Sequence, residues 1–326
     1  YGFEWFGNDK EILGMNIVWD MYANSFDTMY PYSYIGNTEV LDSSSVISNV
    51  LKMHPYFKFK LYGFDLNIGM SMFVTTQDTF HIAPHITMFN QFLDGIFNVR
   101  IGVVGDVNRN SWQDLRMENP YIGPNADIIN TNYFKYFLET ELAVMNSLDF
   151  ALGVSYQSME NAPIFMIDDR YELHNVYKPM YVDYNMLQVG MRTKYRMGED
   201  INLSLSANYY NYDLEQNQII EEVLYKPDFD VNVNAQYVYD KKWKFSLNTV
   251  LLGNMKGMTF ADQQINYETM PLRYGIDLRT EYQYTKALSF FAMFDNVAFQ
   301  RYFYWNNYPS QKFRLLLGLT YTIPTL

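Results

Sequence analysis

The chain has 326 residues and a formal net charge of −12, with 18% aromatic residues, 30 Tyr, 24 Phe and no Cys. The missing Cys removes disulfides, thiolate metal sites and a Cys nucleophile, and the acidic balance argues against nucleic acid as a partner, because phosphate contact needs a basic surface. No run of about 18 apolar residues occurs, which excludes transmembrane helices, whereas a membrane β-barrel hides its hydrophobicity by alternating it. A soluble chain of this length would split into domains of about 150 residues; a barrel can use all of 1–326 as a single domain. The sequence opens at Tyr1 with no charged-then-apolar segment ahead of it, as expected where a signal has been removed or the chain begins inside a longer one.

In chain order, short turn signals punctuate alternating segments at Tyr62-Gly63, Leu93-Asp94-Gly95, Met145-Asn146-Ser147, Gly198-Glu199-Asp200, Asp240-Lys241-Lys242 and Thr285-Lys286-Ala287. The connections at the other end of the segments are longer: roughly 25–47, 109–132, 158–181, 213–226, 257–270 and 305–311, with a short one at 76–79. Strands are expected over 11–24, 50–61, 64–75, 80–92, 96–107, 133–144, 148–157, 184–197, 201–212, 228–239, 243–254, 272–284, 288–303 and 312–323. That is about fourteen, an even count that puts both ends of the chain at the tight-turn rim.

The faces follow from a period of two. In 312–323, Phe313, Leu315, Leu317, Leu319, Tyr321 and Ile323 share one face, and Arg314, Leu316, Gly318, Thr320 and Thr322 the other. In 201–212, Ile201, Leu203, Leu205 and Ala207 oppose Asn202, Ser204, Ser206 and Asn208. Mid-strand charges always share a face with Gly, Ser and Asn, and aromatics gather near strand ends: Trp19, Tyr209, Tyr237, Tyr239, Trp243, Tyr282, Tyr284, Tyr302 and Trp305. Apolar bodies capped by aromatic girdles match a lipid belt, and closing the sheet removes the unpaired edge that hydrocarbon does not tolerate. The expected fold is therefore all-β: a transmembrane antiparallel up-and-down β-barrel with short periplasmic turns and long extracellular loops. Its expected place is the bacterial outer membrane, with lipid and lipopolysaccharide around it and other envelope proteins as partners of its outer loops.

Two segments carry a family resemblance: 295–310, DNVAFQRYFYWNNYPS, leading into the final strand, and 111–122, SWQDLRMENPYI. The first resembles the last hairpin of TonB-dependent-receptor-type barrels, and the second a loop of Bacteroidota outer-membrane barrels. The resemblance implies an outer-membrane location. With no globular plug sequence or TonB-box-like leader ahead of the first strand, and an ending of Pro324-Thr325-Leu326 rather than an aromatic, it points to a plug-free relative or to a fragment.

Candidate chemistry is sparse. His81 and His85 lie on one strand face about 13 Å apart, too far to share a metal; His54 and His174 stand alone, and Ser43-Ser44-Ser45 reads as loop. Asp168-Asp169 with Glu172 and His174 read as a solvated acidic loop, or as a catalytic or Ca²⁺ cluster. No nucleophile–base set is visible, so an enzyme is not expected, and no cofactor or metal is implied. The charges expected inside are more informative: Lys58 and Lys60; Arg100; Glu139 and Glu141; Arg192, Lys194 and Arg196; and Asp277, Arg279 and Glu281. In a water-filled pore they would set selectivity; alternatively they pair across strands, as Arg100 could with Glu139 or Glu141, and fill the interior. Two functions stay open: a porin-like channel for passive passage of small polar solutes, or an accessory barrel with a blocked lumen that binds partners through its loops.

Overall fold

The computed structural model describes residues 2–8, 11–25, 45–76, 80–123, 128–145, 147–168, 171, 173–215, 220–261 and 264–323. The chain opens with β1 (Gly2–Asn8), β2 (Glu11–Ser25), β3 (Ser45–Leu61), β4 (Phe64–Thr75), β5 (His81–Phe92) and β6 (Phe97–Asn108). A short helix, α1 (Trp112–Glu118), precedes β7 (Thr131–Met145), β8 (Leu148–Ile167), β9 (Tyr177–Met197), β10 (Ile201–Leu214), β11 (Phe229–Tyr239) and β12 (Trp243–Gly253). Then come β13 (Lys256–Ala261), β14 (Gln264–Thr269), β15 (Arg273–Gln283), β16 (Leu288–Asp295), β17 (Phe303–Trp305), β18 (Tyr308–Pro309) and β19 (Arg314–Tyr321).

Fifteen strands form one sheet in chain order, β1 to β12, β15, β16, β19, with the β13–β14 and β17–β18 pairs set apart from it. This is the antiparallel up-and-down arrangement of a transmembrane barrel, and every one of the expected strands is present. Among the described residues β1 and β19 stand at the two ends of the order without pairing to each other. The strand β1 is an addition to the expected set: Gly2 lies opposite Asn16 of β2.

The tight turns form where the sequence placed them. Tyr62 and Gly63 both take positive φ, 49° and 86°, as a two-residue hairpin matching the strand twist requires. Leu93, Asp94 and Gly95, and Asp240 and Lys241, do the same. Asn146 lies outside the described residues, as do Gln77, Asp78 and Thr79, Ser43 and Ser44, Pro324 to Leu326, and 26–44 of the first expected loop.

The longer connections differ from expectation. The segment expected as a loop at 158–181 is mostly strand, since β8 continues to Ile167 and β9 begins at Tyr177. The 257–270 loop is the hairpin β13–β14, and 303–309 holds the small hairpin β17–β18. The strand expected over 288–303 stops at Asp295, because Asn296 turns to φ 53°. Its side chain then donates to the carbonyls of Gln300 (2.7 Å) and Gln311 (2.9 Å), which holds the chain out of the ladder.

The chain forms two compact units: Tyr1–Met88 with Gly102–Tyr136 and Gln157–Tyr184, and Phe89–Ile101 with Phe137–Tyr156 and Asn185–Leu326. In the first, Ser111 caps α1: its hydroxyl accepts from Asp114 N and the Asp114 carboxylate accepts from Ser111 N, each at 3.1 Å. The helix buries Leu115 and is tied to β2, where the Tyr22 hydroxyl accepts from Trp112 N at 3.2 Å and Asp20 pairs with Arg109 at 2.9 Å. In the second unit, the Asn306 amide donates to Met258 O (2.9 Å) and Glu268 (2.8 Å), and Tyr225 donates to Asn306 (3.2 Å).

The second unit also gives the clearest test of the two faces. Leu203, Ala235, Leu247, Leu278, Phe294 and Leu315 lie opposite one another across six successive strands. One step along, Ser204, Asn234, Asn248 and Asp277 form a polar row on the other face. Leu315 and Leu317 are 50% and 68% exposed: no protein core covers the apolar face. A leucine face left open across a whole sheet is costly in water and stable in hydrocarbon. Nearer the tight turns, Tyr239, Trp243, Tyr282 and Phe290 make an aromatic row that ends on Leu319, a composition that suits a membrane interface.

Candidate functional site: the polar inner face

Three girdle residues, Trp19, Tyr209 and Tyr284, are exposed at 71%, 53% and 63%, and Tyr237, Tyr239 and Trp243 are also exposed. Tyr282 packs on Trp243 with ring centroids 4.6 Å apart. Trp305 is a correction. It is buried in the β17–β18 hairpin with its ring 4.6 Å from Tyr225, so it anchors a loop rather than meeting lipid. Tyr302 is buried too. Burial and the Tyr304 hydroxyl, 3.0 Å away, push its phenol up to about 12, and the Arg273 guanidinium sits over the Tyr302 and Tyr304 rings at 4.6 and 4.1 Å.

The inner-face charges divide into engaged and free. Lys60 pairs with Asp65 at 3.1 Å, Arg196 with Asp149 at 2.7 Å, and Arg279 with Glu281 at 3.0 Å. Glu281 also accepts from the Ser289 hydroxyl (2.9 Å), and the Arg279 guanidinium lies over the Phe291 ring at 4.7 Å. Arg100 reaches Glu139 at 3.9 Å and covers the Phe89 ring at 5.5 Å. Asp277 accepts from Asn296 N at 2.8 Å. Lys58 lies over the Tyr56 ring at 4.5 Å. Among the described residues no side-chain partner engages Glu141, Arg192 or Lys194.

Several features escaped the sequence reading. In the first unit Lys52 of β3 reaches Asp106 of β6 at 2.9 Å, although β4 and β5 stand between those strands in the sheet order. Val50, Phe73 and Val107 form a buried cluster beside this pair. His54 is not alone: its ring meets that of His85 edge-on at 4.1 Å, and it shares a hydrogen bond with the Ser71 hydroxyl at 3.2 Å. Phe73 stacks on His81 at 5.3 Å. Among the described residues no third His, Asp or Glu joins the two imidazoles as a metal-ligand group. Lys52, His54, His85 and Asp106 border a concavity of about 320 Å³. No signal in the local pattern marks the Lys52–Asp106 and His54–His85 contacts, because they join strands that are not sequence neighbours. Asp168 is buried, with its N–H donating to Val176 O at 2.8 Å; Asp169 and Glu172 of the acidic loop lie outside the described residues.

The Lys52–Asp106 pair gives a direct expectation. Asp106→Ala leaves the ammonium half-buried with the Val107 carbonyl as its remaining acceptor, so it should destabilise the fold by about 1–2 kcal/mol. Lys52→Met/Asp106→Asn, which removes both charges, should cost less. Chemical unfolding in detergent compares them, and equal costs would mean the pair is solvated rather than structural.

In the second unit, Asp230 of β11 is enclosed by donors. Asn208 donates to its two oxygens at 3.1 and 3.2 Å, Tyr210 at 2.8 Å and Asn232 at 3.0 Å. Beyond this node the inner face carries Asn202, Ser204, Asn234, Gln236, Ser246 and Asn248, bordering a concavity of about 390 Å³ that also meets Asp277, Arg279 and Asp295. Among the described residues the inner face thus presents hydrogen-bonding groups and charge.

The fold matches those of bacterial outer-membrane receptors and transporters. The ferripyoverdine receptor of the outer membrane of Pseudomonas aeruginosa, solved bound to ferripyoverdine, superposes with a TM-score of 0.66 at 10% identity, over 98% of this chain and 47% of that one. The FrpB iron transporter of Neisseria meningitidis gives 0.67 at 10% identity, over 98% and 54%. The ferric enterobactin receptor PfeA of P. aeruginosa gives 0.63 at 12%, over 95% and 51%. The chain therefore spans about half the length of the structures it matches. These are TonB-dependent-receptor barrels, so the resemblance read from the final hairpin holds at the level of the fold. The fold is that of a bacterial outer-membrane β-barrel. No protein-family model matches the sequence, and no curated protein does.

Proposed function

We propose that the protein carries small polar solutes across the bacterial outer membrane along its inner face, in the manner of a porin-like passive channel. The observation that carries this reading is the division of faces: across β10–β12, β15, β16 and β19 the outward rows are apolar or aromatic apart from Thr249 and Thr280, while the inward rows of β10–β12 hold polar groups that the protein leaves unengaged. A purely structural wall would pair those groups, since unpaired polar side chains add nothing to stability. That the matched structures include receptors and transporters supports a transport role. Lipid and lipopolysaccharide would cover the outer rows.

Arg192 and Lys194, on one face of β9, are the free cations of this path among the described residues of the second unit. An exposed charge in water acts with roughly 1 kcal/mol at about 4 Å, enough for a several-fold bias in local ion concentration. In planar bilayers under a tenfold KCl gradient, Arg192→Ala/Lys194→Ala should lower the chloride-to-potassium permeability ratio by about two- to five-fold. An unchanged ratio would remove these residues from the path, and a silent wild type would remove the channel.

The accessory reading, a blocked barrel acting through its loops with other envelope proteins, is supported by the filled inner face of the first unit, where Val50, Phe73 and Val107 are buried beside the Lys52–Asp106 strut. Silent bilayers together with stable co-purification of envelope proteins would favour it.

A further inference from the structure

Six uncharged polar side chains of the second unit form a grid of two rows: Asn202, Gln236 and Ser246, and Ser204, Asn234 and Asn248. Strand spacing puts neighbours about 4.8 Å apart across the grid and about 6.7 Å along it. Residues placed directly opposite in a sheet ordinarily meet, and on the same strands Asn208 and Asp230 do. Yet among the described residues none of the six engages a side-chain or backbone partner through its own side chain. Their bonding capacity faces the concavity they border.

We infer that this grid is a binding site for neutral, polyhydroxylated solutes, oligosaccharides being the class it fits. An amide carries both donor and acceptor, as does a hydroxyl. An array of such groups matches a ligand whose every polar group is also both. The charges around the grid are already committed: Arg279 to Glu281, Asp295 to Arg314 at 2.6 Å, Asp277 to Asn296 N, and Asp230 to its donors. An anionic solute therefore finds no free cation among the residues lining the concavity, and the Asp277 carboxylate, held there by a neutral N–H, disfavours it further. Further along the same face of β10, the Tyr210 and Tyr212 rings lie 6.1 Å apart and within 19° of parallel. They offer flat apolar faces to the C–H surface of sugar rings. The inference rests on the transport reading for its use in the cell, but the site stands on this geometry.

The test is titration calorimetry of the full chain in detergent with maltoheptaose as the neutral probe and hexagalacturonate as the anionic probe of similar size. Arg192 and Lys194 on the neighbouring strand make the anionic arm necessary. Saturable binding of maltoheptaose is expected, with hexagalacturonate at least about tenfold weaker. Asn234→Ala/Asn248→Ala should weaken maltoheptaose about tenfold or more. Asn234→Asp, nearly the same shape but stripped of its donor, should weaken it in the same direction without disturbing the fold, which heat-modifiable gel mobility confirms. No saturable maltoheptaose binding, equal or tighter hexagalacturonate binding, or variants that bind as the wild type would each overturn the site. Bilayer conductance separates this from the transport reading: a conducting protein that ignores maltoheptaose loses the site and keeps the channel, and a silent one that binds it does the reverse.

Discussion

Leu278→Arg should destabilise the folded protein in lipid vesicles by about 2–4 kcal/mol, the cost of a cation at the bilayer midplane on a lipid-facing strand. Leu278 stands at the centre of β15, flanked in its row by Leu247 and Phe294, and it is 41% exposed on the apolar face. The same charge on the other face meets water. Ser204→Arg, beside Asn234 on the inner face, should therefore change stability by no more than about 0.5 kcal/mol. Urea-dependent folding into vesicles measures both. If the two substitutions cost the same, the outer face does not meet hydrocarbon, and the reading of every row falls with it.

Gly69→Val should damage the first unit strongly. A Cβ at Gly69 would lie 2.6 Å from the Pro55 carbonyl oxygen and 3.1 and 3.2 Å from Tyr56 Cβ and Cα. These are backbone atoms or fixed to the backbone, so no side-chain rotation relieves them. Gly69 faces Tyr56 across the β3–β4 ladder, and making room means parting the strands. Overpacking of this kind costs about 1–3 kcal/mol, and more where hydrogen bonds are lost. Gly275 is the contrast: a Cβ there meets nothing within 4 Å, and Gly275→Ala should stabilise by about 0.5–1 kcal/mol through the unfolded state. Paired chemical unfolding of the two variants settles the sign of each, and a neutral Gly69→Val would mean that the ladder is looser there than its geometry implies.

Alternation put Lys60, Arg196 and Arg279 on the polar face of their strands, and each has a carboxylate partner. What alternation left open was which inner charges are spent. Arg100 meets Glu139 while Arg192 and Lys194 stay unengaged, and nothing in a period of two distinguishes them. The amide grid was visible only as a polar face of β10. That its members ignore one another depends on side-chain directions set by the twist of neighbouring strands. Trp305 failed as a girdle residue for a related reason. An aromatic near a strand end reads alike whether it faces lipid or folds back under a hairpin, and the ring of Tyr225, distant in sequence, decides the matter.

The sequence alone determined fourteen strands of the main sheet, most of their tight turns and the alternation of their faces, because these follow from covalent geometry repeated every second residue and from turn residues that tolerate positive φ. The tertiary structure decided the rest. It reached Lys52 across to Asp106, brought His54 against His85, and turned expected loops into hairpins and longer strands. Such contacts join residues whose approach depends on sheet curvature and on several registers at once, and no local pattern in the chain encodes that sum.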